Sequence, residues 1–193
     1  MPLLREPKVG ELVEVVLTYD DYCALPNDGR RYEILEGDLY VTPAPTTRHQ
    51  RVSRNLQWIL HDHVTHKRLG EILNAPIDVI LSDTNVCQPD LVFIAAERRD
   101  IVTEKNLQGA PTLLVEILSP SSRRQDVTVK MNVYAKHGVP HYWILDPDAR
   151  TVDEYVLEPD AVSYSLRGRI EGSSPFRSAA LPDLAVDLGE VWA

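Results

Sequence analysis

Two acidic residues sit where a soluble protein rarely puts them. Glu116 lies inside Leu113-Leu-Val-Glu-Ile-Leu118, a run that otherwise reads as a buried strand. Taking an ionised carboxylate out of water costs several kcal/mol even after relaxation, so such a side chain calls for a cation beside it. A sheet edge or a plain salt bridge would also satisfy it. Asp90 follows Pro89 and opens the apolar run Leu91-Val-Phe-Ile-Ala95, so it falls at a strand start. A Pro-Asp dipeptide also starts turns, but two neighbouring strands would bring Asp90 and Glu116 together. Carboxylates held in one place repel unless a proton or metal lies between them, and an all-oxygen ligand set suits Mg2+ or Mn2+ rather than zinc. Downstream, Asp126, Lys130 and Tyr134 are spaced by four and share one helical stripe. Ion pairs at this spacing commonly decorate a solvated face. Here the Ser119-Pro-Ser-Ser122 turn could fold the helix back over Glu116.

Other candidates are weaker. His61, His63 and His66 fit a hydrated helix end better than a metal site, since positions 61 and 63 point to different sides. There is no GxxxxGK[ST] or GxGxxG, so phosphate-loop and dinucleotide readings lack support. Ser119, Ser121 and Ser122 read as helix caps, Asp78 as an outward edge residue, Tyr142 and Trp143 as core, and Asp146 as a turn cap before Pro147.

The elements that must position these residues follow from periodicity. Thr18–Pro26 reads as a short capped helix, and Arg31–Leu35 with Leu39–Thr42 as a hairpin around Glu36-Gly37. Thr47–His66 carries Val52, Leu56, Ile59, Leu60 and Val64 at helical spacing, with Gly70 as its stop. Short strands are expected at 71–74, 77–81, 91–95 and 113–118, then a helix over 125–137 ended by Gly138. Further strands are expected at 141–145, 152–157 and 162–169, and the tail after Gly172 is turn-rich until 184–188. The 193 residues are 44% hydrophobic and 25% charged, which suits one globular α/β or α+β domain rather than a disordered or coiled-coil chain.

No apolar run is long enough for a membrane span, and Glu6, Glu11 and Glu14 interrupt any signal peptide. Cys23 and Cys87, without a CxxC, read as reduced thiols of a cytoplasmic protein. The net charge of −9 argues against a nucleic-acid partner until it is divided along the chain. Residues 43–70 carry Arg48, Arg51, Arg54, Lys67 and Arg68 against Asp62, and residues 119–140 carry Arg123, Arg124, Lys130 and Lys136 against Asp126. Two basic helices on an acidic body could form a nucleic-acid cleft, or simply two exposed basic faces.

Taken together, Pro89-Asp90, Glu116-Ile-Leu-Ser-Pro-Ser-Ser122, Asp126, Lys130, Gly138-Val-Pro and Tyr142-Trp-Ile-Leu-Asp-Pro147, with Arg31-Tyr-Glu-Ile-Leu-Glu-Gly-Asp38 and His49, resemble the Uma-type family of restriction-endonuclease-like proteins in the PD-(D/E)XK nuclease superfamily. The resemblance spans roughly residues 18–157. It implies a restriction-endonuclease-like α/β fold, a mixed β-sheet core flanked by helices, within a single domain: an N-terminal arm (1–17), a core (18–157) and a C-terminal strand-rich extension (158–193). It implies Mg2+- or Mn2+-dependent hydrolysis of DNA. Asp90, Glu116 and the Ile117 carbonyl would be metal ligands, and Glu33 an additional acid. The lysine usually found two residues after the second acid is replaced by Leu118, and the resemblance assigns its amine to Lys130. His49, which resembles a family position, would contact phosphate or stand behind a metal ligand, and the local charge of the two helices makes Arg48, Arg51, Arg123 and Arg124 the expected nucleic-acid-binding residues. Double-strand cutting implies a homodimer. The alternative is a DNA-binding or mobile-element accessory protein that keeps the fold without cutting.

Overall fold

The structure, a computed structural model, describes residues 15–181 and 183–193, so most of the expected arm lies outside the described residues. Thr18 starts α1 (Tyr19–Cys23), its N–H and hydroxyl both donating to the Asp21 carboxylate. β1 (Arg31–Leu35) and β2 (Asp38–Thr42) form the expected hairpin. Its turn residues Glu36 and Gly37 both have positive φ, 53° and 85°, the geometry that matches strand twist across a two-residue loop. After α2 (Thr47–Lys67) come β3 (Gly70–Asn74), β4 (Val79–Ser82), β5 (Asn85–Cys87), β6 (Leu91–Ala95), β7 (Leu107–Gln108) and β8 (Leu113–Ile117). A π-helical segment, Gln125–Lys130, then runs into α3 (Met131–Lys136). The chain closes with β9 (His141–Asp146), β10 (Thr151–Val156), β11 (Ser165–Glu171), β12 (Pro175–Arg177), β13 (Ala185–Asp187) and α4 (Leu188–Val191).

The strands make a mixed six-stranded sheet, β11-β10-β9-β8-β6-β3, a five-stranded sheet, β2-β1-β5-β4-β7, and a β12-β13 ribbon. The mixed α/β architecture expected from the sequence is therefore present. Strand parity decides what faces what. Leu91, Phe93, Leu113, Val115, Ile117, Trp143 and Leu145 pack with Val52, Leu56, Leu60 and Val64 of α2. Val92, Ile94, Leu114, Tyr142 and Ile144 pack the other way, against Val133 and Tyr134 of α3 and against Leu35, Val79 and Leu107 of the smaller sheet. Glu116 shares the parity of Leu114, so it faces the α3 side. β8 and β9 are parallel neighbours, and the π-helical segment with α3 is the crossover joining them, which lays that helix over the Glu116 face.

Four local expectations are corrected. Gly70 does not stop α2: Arg68 does, in the left-handed conformation at φ 57°. Gly70 opens β3 at φ 148°, where an added Cβ would lie 2.0 Å from the Ile94 carbonyl oxygen. The 125–137 helix begins as a π-helix rather than an α-helix. β5 and β7 were not anticipated as strands, because three and two residues are too few to show a period. Asp78 does not point into solvent unpartnered, since it accepts from Tyr22 and Gln88.

The last segment is built into the core. β11 extends the larger sheet, and Phe176, Leu181, Leu184, Val186, Leu188 and Val191 join the cluster under α2. The Phe176 ring meets Trp143 edge-on at 4.7 Å between centroids.

Candidate active site

Four carboxylates and one ammonium meet where the two sheets and the crossover helix converge. Glu33 comes from β1, Asp90 from the start of β6, Glu116 from β8, and Asp126 and Lys130 from the π-helical segment. All five are buried, each 8% exposed or less. Lys130 Nζ lies 2.9 Å from Glu33 Oε1 and 3.0 Å from Glu116 Oε1, and 3.6 Å from Asp126 Oδ1. Tyr134, one turn on, donates its hydroxyl to Glu116 Oε1 at 2.8 Å. The stripe at 126, 130 and 134 thus faces the acids instead of solvent.

Asp90 is held separately. His49 occupies the buried stripe of α2 one turn before Val52, which carries its Nε2 to 3.1 Å from Asp90 Oδ2. The Ile117 N–H donates to the same oxygen at 2.9 Å. Among the described residues, the hydrogen bonds of Asp90 run through Oδ2 and those of Glu116 through Oε1. Glu33 is fixed at both oxygens. Its Oε1 accepts from the Gln88 N–H at 2.8 Å, and its Oε2 from Gln125 at 3.2 Å and from Thr42 at 3.4 Å.

Negative charge exceeds positive charge here, and the titration directions follow. Burial first, then Asp126, Asp90 and Glu33, hold the Glu116 carboxyl well above its ordinary range against the pull of Lys130. Asp126 is raised for the same leading reason, desolvation, and its Oδ1 is buried without a hydrogen bond among the described residues. Burial works against the charge on Lys130, yet Glu116, Glu33 and Asp126 outweigh it and raise that pKa well above the usual lysine value.

The group opens into a cleft of about 280 Å³ walled by Thr46 and His49 at the start of α2, the Ser119–Ser122 turn and Arg31. The structure brings together Glu33, Asp90, Glu116, Lys130 and His49, and Ile117 lines the same cleft. It does not place the four expected nucleic-acid-binding arginines among the lining residues. Arg48 is paired with Asp148 at 2.6 Å and Arg123 with Asp146 at 2.7 Å, while Arg51 and Arg124 lie on exposed helix surface. Lys67 and Arg68 lie at the far end of the 21-residue α2, roughly 30 Å away at 1.5 Å per residue. Asp146 caps its turn as expected, accepting from the Asp148 and Ala149 N–H groups. Tyr142 and Trp143 are fully buried. Sequence reasoning missed Gln88, Gln125 and Thr42, neutral residues whose part in holding Glu33 leaves no charge or spacing signal.

Comparison with known proteins gives a family and a fold. A family model described as "Uma2: Putative restriction endonuclease" matches residues 19–189. A solved structure, described as a putative nuclease belonging to DUF820 from Anabaena variabilis, superposes with a TM-score of 0.75 at 20% identity, covering 91% of this chain and 97% of that one. That likeness shows a shared fold. No curated protein matches the chain. The match over most of the sequence establishes that this chain belongs to the Uma2 family of the restriction-endonuclease type.

Proposed function

We propose that the chain is a divalent-metal-dependent endonuclease that hydrolyses DNA phosphodiester bonds, with Asp90, Glu116, Lys130 and Glu33 as its catalytic set. The observation that carries this reading is the convergence of three buried carboxylates on one lysine, with the buried Asp90 carboxylate beside them in the same open cleft. Nothing in a purely structural role requires so much buried negative charge, which weakens a fold rather than stabilising it.

The donor set fits a hard cation. Among the described residues no three His, Cys, Asp or Glu side chains form a ready-made cluster, so the fit rests on chemistry. The ligand atoms are oxygens throughout, carboxylates outnumber ammonium groups, and Asp126 Oδ1 is buried with no hydrogen-bond donor among the described residues. Asp90 and Glu116, with the Ile117 carbonyl, would hold Mg2+ or Mn2+. When bound, such an ion acidifies water and screens the scissile phosphate. His49 and the Ile117 N–H fix the Asp90 carboxylate. Glu33 and Glu116 aim the Lys130 ammonium, which would orient the attacking water or stabilise charge developing on the phosphoryl oxygens. Cutting both strands would call for two such centres, hence a pair of chains.

Supercoiled and linear DNA incubated with the chain and Mg2+ or Mn2+ is expected to be cut, and chelation to stop it. Asp90→Ala, Glu116→Ala and Lys130→Ala, each checked for folding, are expected to lose about a hundredfold or more. Normal cutting by Lys130→Ala would remove the lysine from the catalytic set. DNA binding without cutting by the unaltered chain would favour the accessory-protein reading.

A further inference from the structure

Recognition of a phosphodiester backbone needs cations whose charge is not already matched, and several basic residues of this side of the molecule are matched. Arg48, Arg123 and Lys136 each face a carboxylate within 2.8 Å. Arg31 is different. It stands two residues before Glu33 on β1 and so points from the same strand face. Its Nε and Nη2 donate to neutral acceptors, the side-chain oxygen of Gln88 at 3.3 Å and its backbone carbonyl at 2.9 Å. Gln88 is itself anchored to Glu33, Asp78 and Tyr22. Two of the five guanidinium N–H groups are thereby used, and three remain for an outside acceptor. No carboxylate pairs with Arg31 among the described residues.

Arg31 also joins two hollows. One is the acidic cleft. The other, about 210 Å³, adjoins it through Arg31, His49 and Asp90. Its α2 wall is Gln50, Ser53, Arg54 and Gln57, a spacing that places all four on one helix face. Among the described residues the Arg54 guanidinium bonds the Asn55 side-chain oxygen, at 3.1 and 2.9 Å, and pairs with no carboxylate. Among the described residues, this hollow is lined by no acid apart from the shared Asp90. Its lining is cationic and rich in neutral hydrogen-bonding groups, which complements phosphate oxygens without requiring a base sequence.

We infer that this second hollow is the path of the nucleic-acid strand beside the catalytic cleft, with Arg31 holding the phosphate adjacent to the acids and Arg54 one further along. The inference rests on the nuclease reading above. Arg31, preset by Gln88, offers its forked donors to a phosphate at little ordering cost.

The test is fluorescence-anisotropy binding of labelled DNA by the full chain, in EDTA and in calcium, over a series of salt concentrations. Arg31→Gln and Arg54→Gln are each expected to weaken binding about tenfold and to reduce the slope of log affinity against log salt by about 1. Their combination is expected to reduce the slope by about 2. Arg31→Lys keeps the charge and should keep the slope, which separates phosphate contact from damage to the Gln88 anchor. Arg99→Gln, on the exposed turn beyond the other end of β6, should change neither affinity nor slope. If the unaltered chain binds and the two glutamine variants keep its slope, the strand path is wrong and the nuclease reading stands. If the unaltered chain binds no DNA in either condition, the nuclease reading fails and takes this inference with it.

Discussion

Lys130 shows how one side chain can be legible in type and hidden in place. Its helical spacing from Asp126 and Tyr134 is plain in the sequence, but the same spacing describes countless surface ion pairs. Only the turn of the chain after Glu116 puts the stripe against the acids, with Nζ 3.0 Å from Glu116. Asp90 and Glu116 were easier to read, because a carboxylate inside or opening an apolar run conflicts with its surroundings. Histidine burial also matters outside the site. His141 opens β9, and its Nδ1 is buried with no hydrogen-bond partner among the described residues. Burial, helped by Arg167 and Arg98 and opposed by Glu154, lowers its pKa below the ordinary 6.5. Between the lowered value and 6.5 the unfolded chain binds more protons than the folded one, so stability rises with pH through that window and is lost on acidification. His141→Phe is expected to remove up to about 1.4 kcal/mol per pH unit of that slope. Denaturant titrations from pH 5 to 7.5 would show it, and an unchanged slope would mean that His141 keeps its unfolded pKa.

Among the elements, the crossover between β8 and β9 matters most. Its π-helical first turn and α-helical continuation keep Asp126, Lys130 and Tyr134 on the acid side. The helix itself was legible, but its π character was not, since an extra residue per turn leaves no mark on a four-residue spacing. Such segments often occur at functional sites. The long α2 was legible throughout, because Val52, Leu56, Leu60 and Val64 repeat on one face. Its end fell within one residue of the expected place, but the stop residue was misassigned, since Arg68 takes the left-handed position where glycine is the usual occupant. Gly70 serves instead to let β3 approach Ile94. Gly70→Ala is therefore expected to destabilise the fold by about 1–3 kcal/mol, the usual cost of such backbone strain, or more if the strand must move. Chemical denaturation measures it directly, and a neutral substitution would place the constraint elsewhere.

At the scale of the whole molecule, charge and chain order were the poorest guides. The two basic helices were rightly located in sequence, yet Arg48 and Arg123 are paired with Asp148 and Asp146, while the unmatched Arg31 sits on a strand. The segment after residue 157, rich in turns, gives little sign that it completes the core, because its apolar residues are scattered. In the folded chain Phe176, Leu181, Val186 and Val191 are almost fully buried. Full burial of such side chains contributes roughly 1.5–3 kcal/mol each, so losing several would exceed much of a total stability of about 5–15 kcal/mol. A chain ending at residue 157 is expected to show no cooperative thermal transition. A sharp transition near that of the full chain would make the segment dispensable. The central claim, that the carboxylates between the two sheets form a divalent-cation centre for phosphodiester hydrolysis, is tested most directly by anomalous scattering from crystals soaked in Mn2+. A peak bounded by the Asp90 and Glu116 carboxylates and the Ile117 carbonyl, lost in Glu116→Gln, is the predicted result. A fully soaked crystal with no manganese between Asp90 and Glu116 would contradict it.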